Sequence, residues 1–245
     1  MTEAEFSALA QAGYSRIPVL AEARADLDTP LAVYAKLAGG PYSYLLESVV
    51  GGERFGRYSF IGLGCAERIE ATATANNTAH GCTVRRILRD ARGADVCLES
   101  VDADPFEYVR AWLKRHRTAP VPAALRFGGG LVGYFGYEAV RHIEKNCLTP
   151  KPDPLGTPDV LLLVSDELAV VDNVLGKLYL VVYADPQQPD ALQAAKRRLE
   201  QLRSRLATPL PDAMFLQRAG APAPAALERT FSKIPARLAL MSAIR

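Results

Sequence analysis

Residues 167–184, ELAVVDNVLGKLYLVVYA, decide the fold class that the sequence predicts. Two apolar segments, 167–172 and 177–184, flank the four residues NVLG, which is the pattern of a β-hairpin with a short turn. The second segment is apolar on both of its faces from position 178 onward, which is typical of a strand covered on both sides. We therefore expect an antiparallel hairpin whose second strand lies centrally in a sheet.

Further strands and helices surround this hairpin in the sequence. Apolar or alternating segments at 42–48, 57–61, 69–74 and 160–164 predict strands. A capping residue followed by proline, at Thr29-Pro30 and at Asp104-Pro105, predicts the start of a helix. Apolar residues at 192, 195, 199, 202 and 206 predict an amphipathic helix. Strands in runs with helices between them indicate an α+β fold with a mainly antiparallel sheet flanked by helices.

Composition excludes several classes of protein. The chain has 245 residues, of which 49% are hydrophobic and 23% charged, as in ordinary globular proteins. A net charge of only +2 argues against a nucleic-acid binder. No apolar segment reaches the roughly 18 residues that a membrane span needs, and the acidic N-terminus is unlike a signal peptide. We therefore expect a cytoplasmic protein with no membrane partner.

The cysteines and the C-terminal residues give two further expectations. None of the four cysteines is part of a C-x-x-C pair, so we expect buried thiols in a reducing compartment: Cys65, Cys82, Cys97 and Cys147. From Pro209 onward, prolines and low-complexity sequence break every periodic pattern. The sequence thus predicts a folded domain over residues 1–208 and an irregular tail over 209–245.

The residues by themselves do not define an active site. The segment GGGLVG at 128–133 fits the spacing G-x-G-x-x-G, but prolines and an arginine precede it in place of a strand pattern, and the acidic residue about 20 positions on, Asp153, lies between two prolines. Its glycines are better explained by a backbone that bends or approaches a neighbour closely. The three histidines lack metal-ligand spacing, and neither a nucleophile elbow nor a phosphate loop is present.

One polar pair allows two interpretations. Glu47 and Ser48 follow the apolar residues 44–46 and precede two glycines. Side-chain oxygens at the end of a strand can accept hydrogen bonds from an ammonium group. They can equally cap a turn and face water. The residues alone favour the turn but leave both interpretations open.

Several motifs occur in an order that resembles the N-terminal half of the anthranilate synthase component I family. The resemblance runs from about residue 13 to the helix that ends near 206. The motifs are RIPV at 16–19, DTPL at 28–31, YLLES at 44–48, RYSFIG at 57–62, GGLVGYFGYE at 129–138 and KPDPLGTPD at 151–159. The related aminodeoxychorismate synthase component I shares much of this pattern and remains the alternative.

The resemblance implies a function and a set of residues. Members of this family convert chorismate to anthranilate on the path to tryptophan, with ammonia from a glutamine amidotransferase partner, component II, and with Mg²⁺. Their leucine-leucine-glutamate-serine segment lines the site at which tryptophan inhibits the enzyme. Carried onto this chain, Glu47 and Ser48 become tryptophan contacts, and Arg57 and Tyr58 become further candidates. The segment 129–138 is expected to be part of the scaffold. The fold as a whole is expected to be half of a β-sandwich.

The family's chorismate and Mg²⁺ residues lie in its C-terminal half, which has no counterpart in these 245 residues. The resemblance therefore implies that this chain holds no catalytic, cofactor or metal residues and is inactive alone. It also implies weak or undetectable tryptophan binding. Residues 231–233 resemble the start of the catalytic region, after which the sequence diverges, as in a truncation or a frameshift. The alternative is a scaffold half that binds no ligand and completes a sheet with a partner chain.

Overall fold

The computed structural model describes residues 1–24, 28–38, 40–47, 56–74, 81–122, 125, 127–144 and 155–210. The helices in this part are α1 (Glu3–Gln11), α2 (Pro30–Leu37), α3 (Pro105–Arg115), α4 (Ala191–Leu206) and a 3₁₀ helix (Tyr137–His142). The strands are β1 (Ile17–Arg24), β2 (Tyr44–Leu46), β3 (Tyr58–Gly62), β4 (Glu67–Ala73), β5 (Cys82–Arg89), β6 (Asp95–Asp102), β7 (Gly130–Phe135), β8 (Val160–Ser165), β9 (Glu167–Asp172) and β10 (Lys177–Ala184).

The strands form two five-stranded sheets, and every pairing between strands is antiparallel. Sheet I has the order β1-β10-β9-β3-β2, and sheet II has the order β6-β5-β4-β8-β7. The predicted α+β class and the mainly antiparallel pairing are confirmed. The sequence pattern indicates strands for only part of this arrangement, because β1, β5, β6 and β7 carry polar residues or glycines that obscure their alternation.

The predicted hairpin is confirmed as β9 and β10. Their register pairs Lys177 with Asp172 on either side of the four-residue turn. β10 lies between β9 and β1, so it has a neighbour on each edge. Leu180 and Val181, which point to opposite faces of the strand, are both completely buried. Coverage on both faces explains why this segment is apolar without alternation.

Each sheet packs its apolar face on helices. Sheet I is covered by α1, α2 and α4, with Val33 and Leu202 fully buried against it. Sheet II is covered by α3, whose Trp112 is the largest of the fully buried side chains. The second face of sheet I holds a smaller cluster around Leu168 and Leu125. The core is therefore made of layers of helix on sheet, as in other α+β proteins.

The helix starts follow the predicted capping chemistry. Thr29 Oγ1 accepts a hydrogen bond from the amide of Ala32, and Pro30 takes the first position of α2. Asp104 Oδ1 accepts from the amides of Phe106 and Glu107 at the start of α3. Each cap satisfies backbone donors that have no partner inside the helix.

The chain passes between the two sheets at two neighbouring points. β8 of sheet II ends at Ser165 and β9 of sheet I begins at Glu167, so Asp166 alone lies between them. β3 of sheet I and β4 of sheet II are joined by residues 63–66. The amide of Leu63 donates a hydrogen bond of 3.0 Å to the carbonyl of Glu167, which ties the two crossings together.

The structural interpretation of the glycine-rich segment is confirmed. A Cβ atom on Gly129 would lie 2.8 Å from the carbonyl oxygen of Ser165, and its φ of +122° suits glycine alone. A Cβ on Gly133 would lie only 1.9 Å from the carbonyl oxygen of Leu161. The glycines therefore let β7 approach the strand and crossing beside it.

The expectation for the cysteines is confirmed for two of them. Cys65 and Cys82 are buried, and burial is the main reason that the pKa of Cys82 is raised to about 11. The prediction is wrong for Cys97, which is exposed because β6 is an edge strand with most of its side chains in solvent. Cys147 lies outside the described residues, as does the predicted tail from 211 onward, so the boundary at 208 stays a prediction.

In the described part of the chain, each helix is too short or too polar to cross a membrane.

Replacement of Gly133 by alanine tests the close approach of β7 to β8. Because the added Cβ meets a backbone oxygen that cannot rotate away, Gly133→Ala is expected to lower the free energy of unfolding by about 1–3 kcal/mol. Gly40→Ala is the control, since no atom lies within 4 Å of the position that a Cβ would take there and its φ is not positive, and it should change stability by less than about 0.5 kcal/mol. Urea unfolding measures both; equal stabilities would contradict the tight packing.

Candidate functional site

Three of the four predicted ligand residues, Glu47, Arg57 and Tyr58, lie at the same end of sheet I. β2 pairs with β3 in a register that sets Tyr44 opposite Gly62 and Leu46 opposite Phe60. Glu47 follows the last paired residue of β2 and is exposed to solvent. Because the pairing is antiparallel, Glu47 lies at the end of the sheet where β3 begins, next to Arg57 and Tyr58. Ser48 lies outside the described residues.

Arg57 is held by a carboxylate of the β9–β10 hairpin. Its Nε lies 3.0 Å and its Nη2 2.7 Å from Oδ2 of Asp172, a two-pronged contact. The guanidinium also lies 5.0 Å from the centre of the Tyr58 ring. These contacts engage the planar guanidinium of Arg57, so the first role of this side chain is to stabilise the fold.

Asp172 joins β3 to the turn of the hairpin. Only 1% of the residue is exposed, and Oδ1 accepts hydrogen bonds of 3.1 Å from the amides of Val174 and Leu175. Burial raises the pKa of this carboxyl, but hydrogen bonds from Arg57 and from the two amides outweigh burial and leave the pKa below its usual value. The ionised carboxylate is therefore the stable form in the folded chain.

Tyr58 packs on its own sheet. Its ring centre lies 6.2 Å from that of Phe60, and the side chain belongs to the cluster on the second face of sheet I. Half-buried between this cluster and the Arg57 guanidinium, the ring presents a restricted surface to solvent. Of the residues that the sequence predicts and the structure describes, Glu47 is thus the most accessible to a ligand.

Two of the cavities formed by the described residues differ in polarity, and Glu47 lines neither of these two. One, of about 620 Å³, is mostly apolar and lies between the start of α1, β1 and a proline-rich segment; it is lined by residues that include Leu9, Pro18, Leu20, Pro120 and Pro122. The other, of about 390 Å³, is polar and is lined by residues that include Arg16, Arg115, His116, Asp166 and Tyr183. Glu47 itself is exposed to solvent.

A polar cluster at the crossing between the sheets was not predicted from the sequence. We call it the crossing cluster: Arg16, Tyr44, Cys65, Ser165 and Asp166. The hydroxyl of Tyr44 and Oγ of Ser165 share a hydrogen bond of 2.8 Å, and Arg16 Nη2 donates to the carbonyl of Ser165 at 3.2 Å. Arg16 also forms an ion pair with Asp166. Apart from the neighbours Ser165 and Asp166, these residues are far apart in the sequence, so no local pattern shows that they contact one another.

Burial controls the protonation of this cluster. It raises the pKa of Tyr44 to about 12, although the hydrogen bond with Ser165 opposes the shift. In the same way it raises the pKa of Cys65 to about 12. Both groups are therefore neutral at physiological pH. The guanidinium of Arg16 lies 5.0 Å from the centre of the Tyr183 ring, which gives this buried cation a favourable surface.

The segment 129–138 that the resemblance implies to be scaffold continues into a 3₁₀ helix with structural contacts. Arg141 of this helix forms an ion pair with Asp159, whose Oδ2 also accepts a hydrogen bond of 3.0 Å from the amide of Ala73. The helix is thereby fixed to sheet II. In the described ranges, no group of three His, Cys, Asp or Glu side chains lies close enough together to hold a metal ion.

The Arg57–Asp172 contact makes the free energy of unfolding depend on pH in the acidic range. Because the pKa of Asp172 is lowered on folding, its contribution is present above the pKa of the unfolded chain, about 3.9, and is lost as pH falls through the lower folded pKa. Asp172→Asn keeps an acceptor for the turn amides but removes the charge. It should lower the free energy of unfolding at pH 7 by about 1.5–3 kcal/mol and flatten the decline below pH 4.

Glu107→Gln is the matched control, because Glu107 forms an ion pair with Arg110 on the surface of α3, where 70% of its side chain is exposed. Such a pair contributes less than about 1 kcal/mol. Urea unfolding between pH 3 and pH 7 measures both variants. If Asp172→Asn leaves the pH dependence of the free energy of unfolding unchanged, the ion pair is not its cause.

Comparison with known proteins gives close relatives along most of the chain. Anthranilate synthase component 1 of Neisseria meningitidis serogroup C is 49% identical over 212 residues, which are 84% of this chain and 40% of that protein. The protein of the same name from Pseudomonas aeruginosa is 45% identical over 217 residues, 86% of this chain and 40% of that protein. No protein-family model matches the chain.

Among solved structures, anthranilate synthase component I from Streptococcus pneumoniae matches with a TM-score of 0.49 at 23% identity, over 78% of this chain and 38% of that chain. The region matched in the curated relatives is their N-terminal part. The resemblance predicted from the ordered motifs is thereby confirmed: this chain is homologous to the N-terminal part of anthranilate synthase component I and spans about 40% of the length of the relatives it matches.

Proposed function

We propose that this chain is the tryptophan-sensing part of an anthranilate synthase component I. The observation that carries the proposal is the identity of 45–49% with proteins of that name over more than four-fifths of the chain. The exposed position of Glu47, directly after β2, is consistent with a carboxylate that receives a ligand. The reaction of the whole enzyme, chorismate to anthranilate in tryptophan and aromatic amino-acid biosynthesis, comes to this chain by the same proposal.

The chemistry of the ligand determines what each residue contributes. The ammonium group of free tryptophan has three donors and a positive charge, and Glu47 with Ser48 offers a charge and a hydroxyl oxygen to them. The ligand carboxylate needs donors of its own. Arg57 is engaged by Asp172, so those donors come from outside this pair. This chain therefore supplies one wall of the pocket, and the region that its relatives have beyond it supplies the rest.

The same division applies to catalysis. The family resemblance places the chorismate and Mg²⁺ residues in the C-terminal half of the enzyme, and this chain spans about 40% of its relatives. We therefore propose that the chain alone is inactive. A complete enzyme would take ammonia from a glutamine amidotransferase, component II, and bind Mg²⁺ outside the residues described. A cytoplasmic location, with its reducing conditions, is part of the proposal and fits the free thiols of the three described cysteines.

Tryptophan titration tests the proposed wall. Because one charge-assisted hydrogen bond fewer weakens binding by about ten- to a hundredfold, an incomplete pocket should bind tryptophan with a Kd of roughly 1 mM or more. Saturation-transfer NMR detects binding in this range. We expect Glu47→Gln to weaken the response by at least about tenfold and Ser48→Ala to weaken it as well, since each removes a partner of the ammonium group.

Glu200→Gln on the exposed surface of α4 removes the same charge far from β2 and should leave binding unchanged. Binding in the micromolar range would contradict the one-walled pocket, because the described wall alone would then suffice. Equal binding by the wild type and Glu47→Gln, or no binding near the solubility limit of tryptophan, would contradict the site.

A second candidate function, a scaffold that completes a sheet with another polypeptide, is favoured by β7. Among the described residues β7 is an edge strand of sheet II, and 48% of Phe135 and 42% of Tyr134 are exposed on it. Edge strands with exposed apolar side chains readily pair with another chain. In this reading, the C-terminal part of component I binds along β7, with or without a tryptophan site.

Complementation tests this candidate. Mixing the chain with a polypeptide that covers the remaining C-terminal part of the Neisseria meningitidis relative should give a complex on size exclusion. With chorismate, ammonia and Mg²⁺ the mixture should produce fluorescent anthranilate, whereas the chain alone should produce none. Formation of aminodeoxychorismate in place of anthranilate would favour the alternative family. Turnover by the chain alone would contradict our placement of the catalytic residues.

The variant Phe135→Lys should weaken the complex, because a charge on β7 opposes an apolar partner. Leu113→Lys is the matched control, since Leu113 is equally exposed, at 50%, but belongs to α3 and not to an edge strand. Equal loss of complex in both variants would show that β7 is not the contact.

A further inference from the structure

We infer that Tyr44 is the positioning residue for Glu47: its hydrogen bond with Ser165 anchors the start of β2 to both sheets and so restricts the short strand whose other end carries Glu47. The role in ligand binding rests on the proposed function, whereas the effect on β2 follows from geometry alone. Tyr44 lies three residues before Glu47 and on the same short strand. The YLLES motif includes Tyr44, but the sequence does not show that its hydroxyl bonds to Ser165.

β2 needs an anchor because its own pairing is short. The strand has three residues and pairs with β3 alone among the described strands. So short an edge strand is held by few backbone hydrogen bonds, and its end frays easily. Glu47 lies directly beyond the last paired residue, where fraying would move it first. A side-chain contact that locks β2 therefore determines where Glu47 is held.

The ring of Tyr44 supplies the first half of this anchor. It lies flat against the backbone of Gly62, its partner in β3, and a Cβ atom on Gly62 would lie only 2.0 Å from the ring carbon Cε1. Glycine is thus required opposite Tyr44, which leaves room for the ring to pass across β3. The ring therefore reaches beyond its neighbouring strand towards the crossing between the sheets.

The hydroxyl supplies the second half. It shares a hydrogen bond of 2.8 Å with Oγ of Ser165, a residue with no exposed surface at the end of β8. The carbonyl of Ser165 in turn accepts from Arg16, which is 9% exposed and forms an ion pair with Asp166. The Ser165 end of the bond is therefore rigid. One hydrogen bond connects the edge strand of sheet I with the point where sheet II ends.

The cluster provides its own reporter in Cys65. This buried thiol lies beside the same serine, and burial raises its pKa to about 12, so it reacts slowly at pH 8. The exposed Cys97 gives an internal standard for labelling. If the hydroxyl of Tyr44 closes the cluster, its removal opens a path to Cys65 and leaves the labelling of Cys97 unchanged.

The test compares Tyr44→Phe, Ser165→Ala and Tyr108→Phe with the wild type. Tyr44→Phe keeps the ring against Gly62 and removes the hydrogen bond alone. Tyr108→Phe is the matched control, because the hydroxyl of this buried tyrosine makes a hydrogen bond of 2.7 Å to Glu99 on sheet II, away from β2. Hydrogen exchange followed by mass spectrometry, and peptide-resolved thiol labelling, measure all four proteins under conditions where thermal scans show them folded.

We expect the peptide containing residues 44–47 to exchange about tenfold faster in Tyr44→Phe and Ser165→Ala, and Cys65 to label faster to a similar degree. Tyr108→Phe should change neither. Unchanged exchange at 44–47, or the same change in Tyr108→Phe, would overturn the inference. Faster exchange spread evenly over both sheets would also overturn it, because it would indicate global loss of stability.

Tryptophan separates this inference from the proposed function. If both hold, Tyr44→Phe weakens the tryptophan response several-fold, while Tyr108→Phe leaves it unchanged. If wild type gives no response but exchange at 44–47 still depends on Tyr44, the proposed ligand fails and the anchoring of β2 stands. If wild type and Tyr44→Phe respond equally, Tyr44 does not position the ligand site and the inference is wrong.

Discussion

The hydroxyl and the carbonyl of Ser165 bond with side chains from the two edges of sheet I. Its hydroxyl meets Tyr44 of β2, and its carbonyl meets Arg16 just before β1. A buried serine left without partners would cost free energy, so these bonds fix where the chain leaves sheet II and enters sheet I. Gly129, directly before β7, also approaches the carbonyl of Ser165 closely, so the start of β7 packs at the same crossing. The arrangement of both sheets thus depends on one buried residue.

This constraint also explains the division of the candidate site. Residues near the crossing are buried and mutually bonded, whereas the other end of β2 and the start of β3 open to solvent. There the guanidinium of Arg57 donates its hydrogen bonds to Asp172, whereas Glu47 is exposed to solvent. A ligand surface that is rigid on one side and open on the other is what a pocket wall requires when a second body closes it.

The sequence predicted what local patterns determine. The β9–β10 hairpin, the caps at Thr29 and Asp104, and the periodic helix α4 depend on neighbours within a few residues, and all were found. The strands β5 and β6 were missed because salt bridges between charged side chains, such as that of Arg85 with Glu70, replace the apolar alternation that identifies a strand. The helix α1 was missed although its capping box at Thr2 is complete.

The candidate site stays a prediction, and the sequence alone cannot define it for a physical reason. Residue type and family resemblance identify Glu47, Arg57 and Tyr58, but they do not tell whether a side chain is already bound within the fold. The partner of Arg57 lies 115 positions away and the partner of Tyr44 lies 121 positions away, so both contacts exist only after the sheets have formed. Motifs name the residues that face a ligand, and the tertiary contacts decide which of them remain available and which hold the others in place.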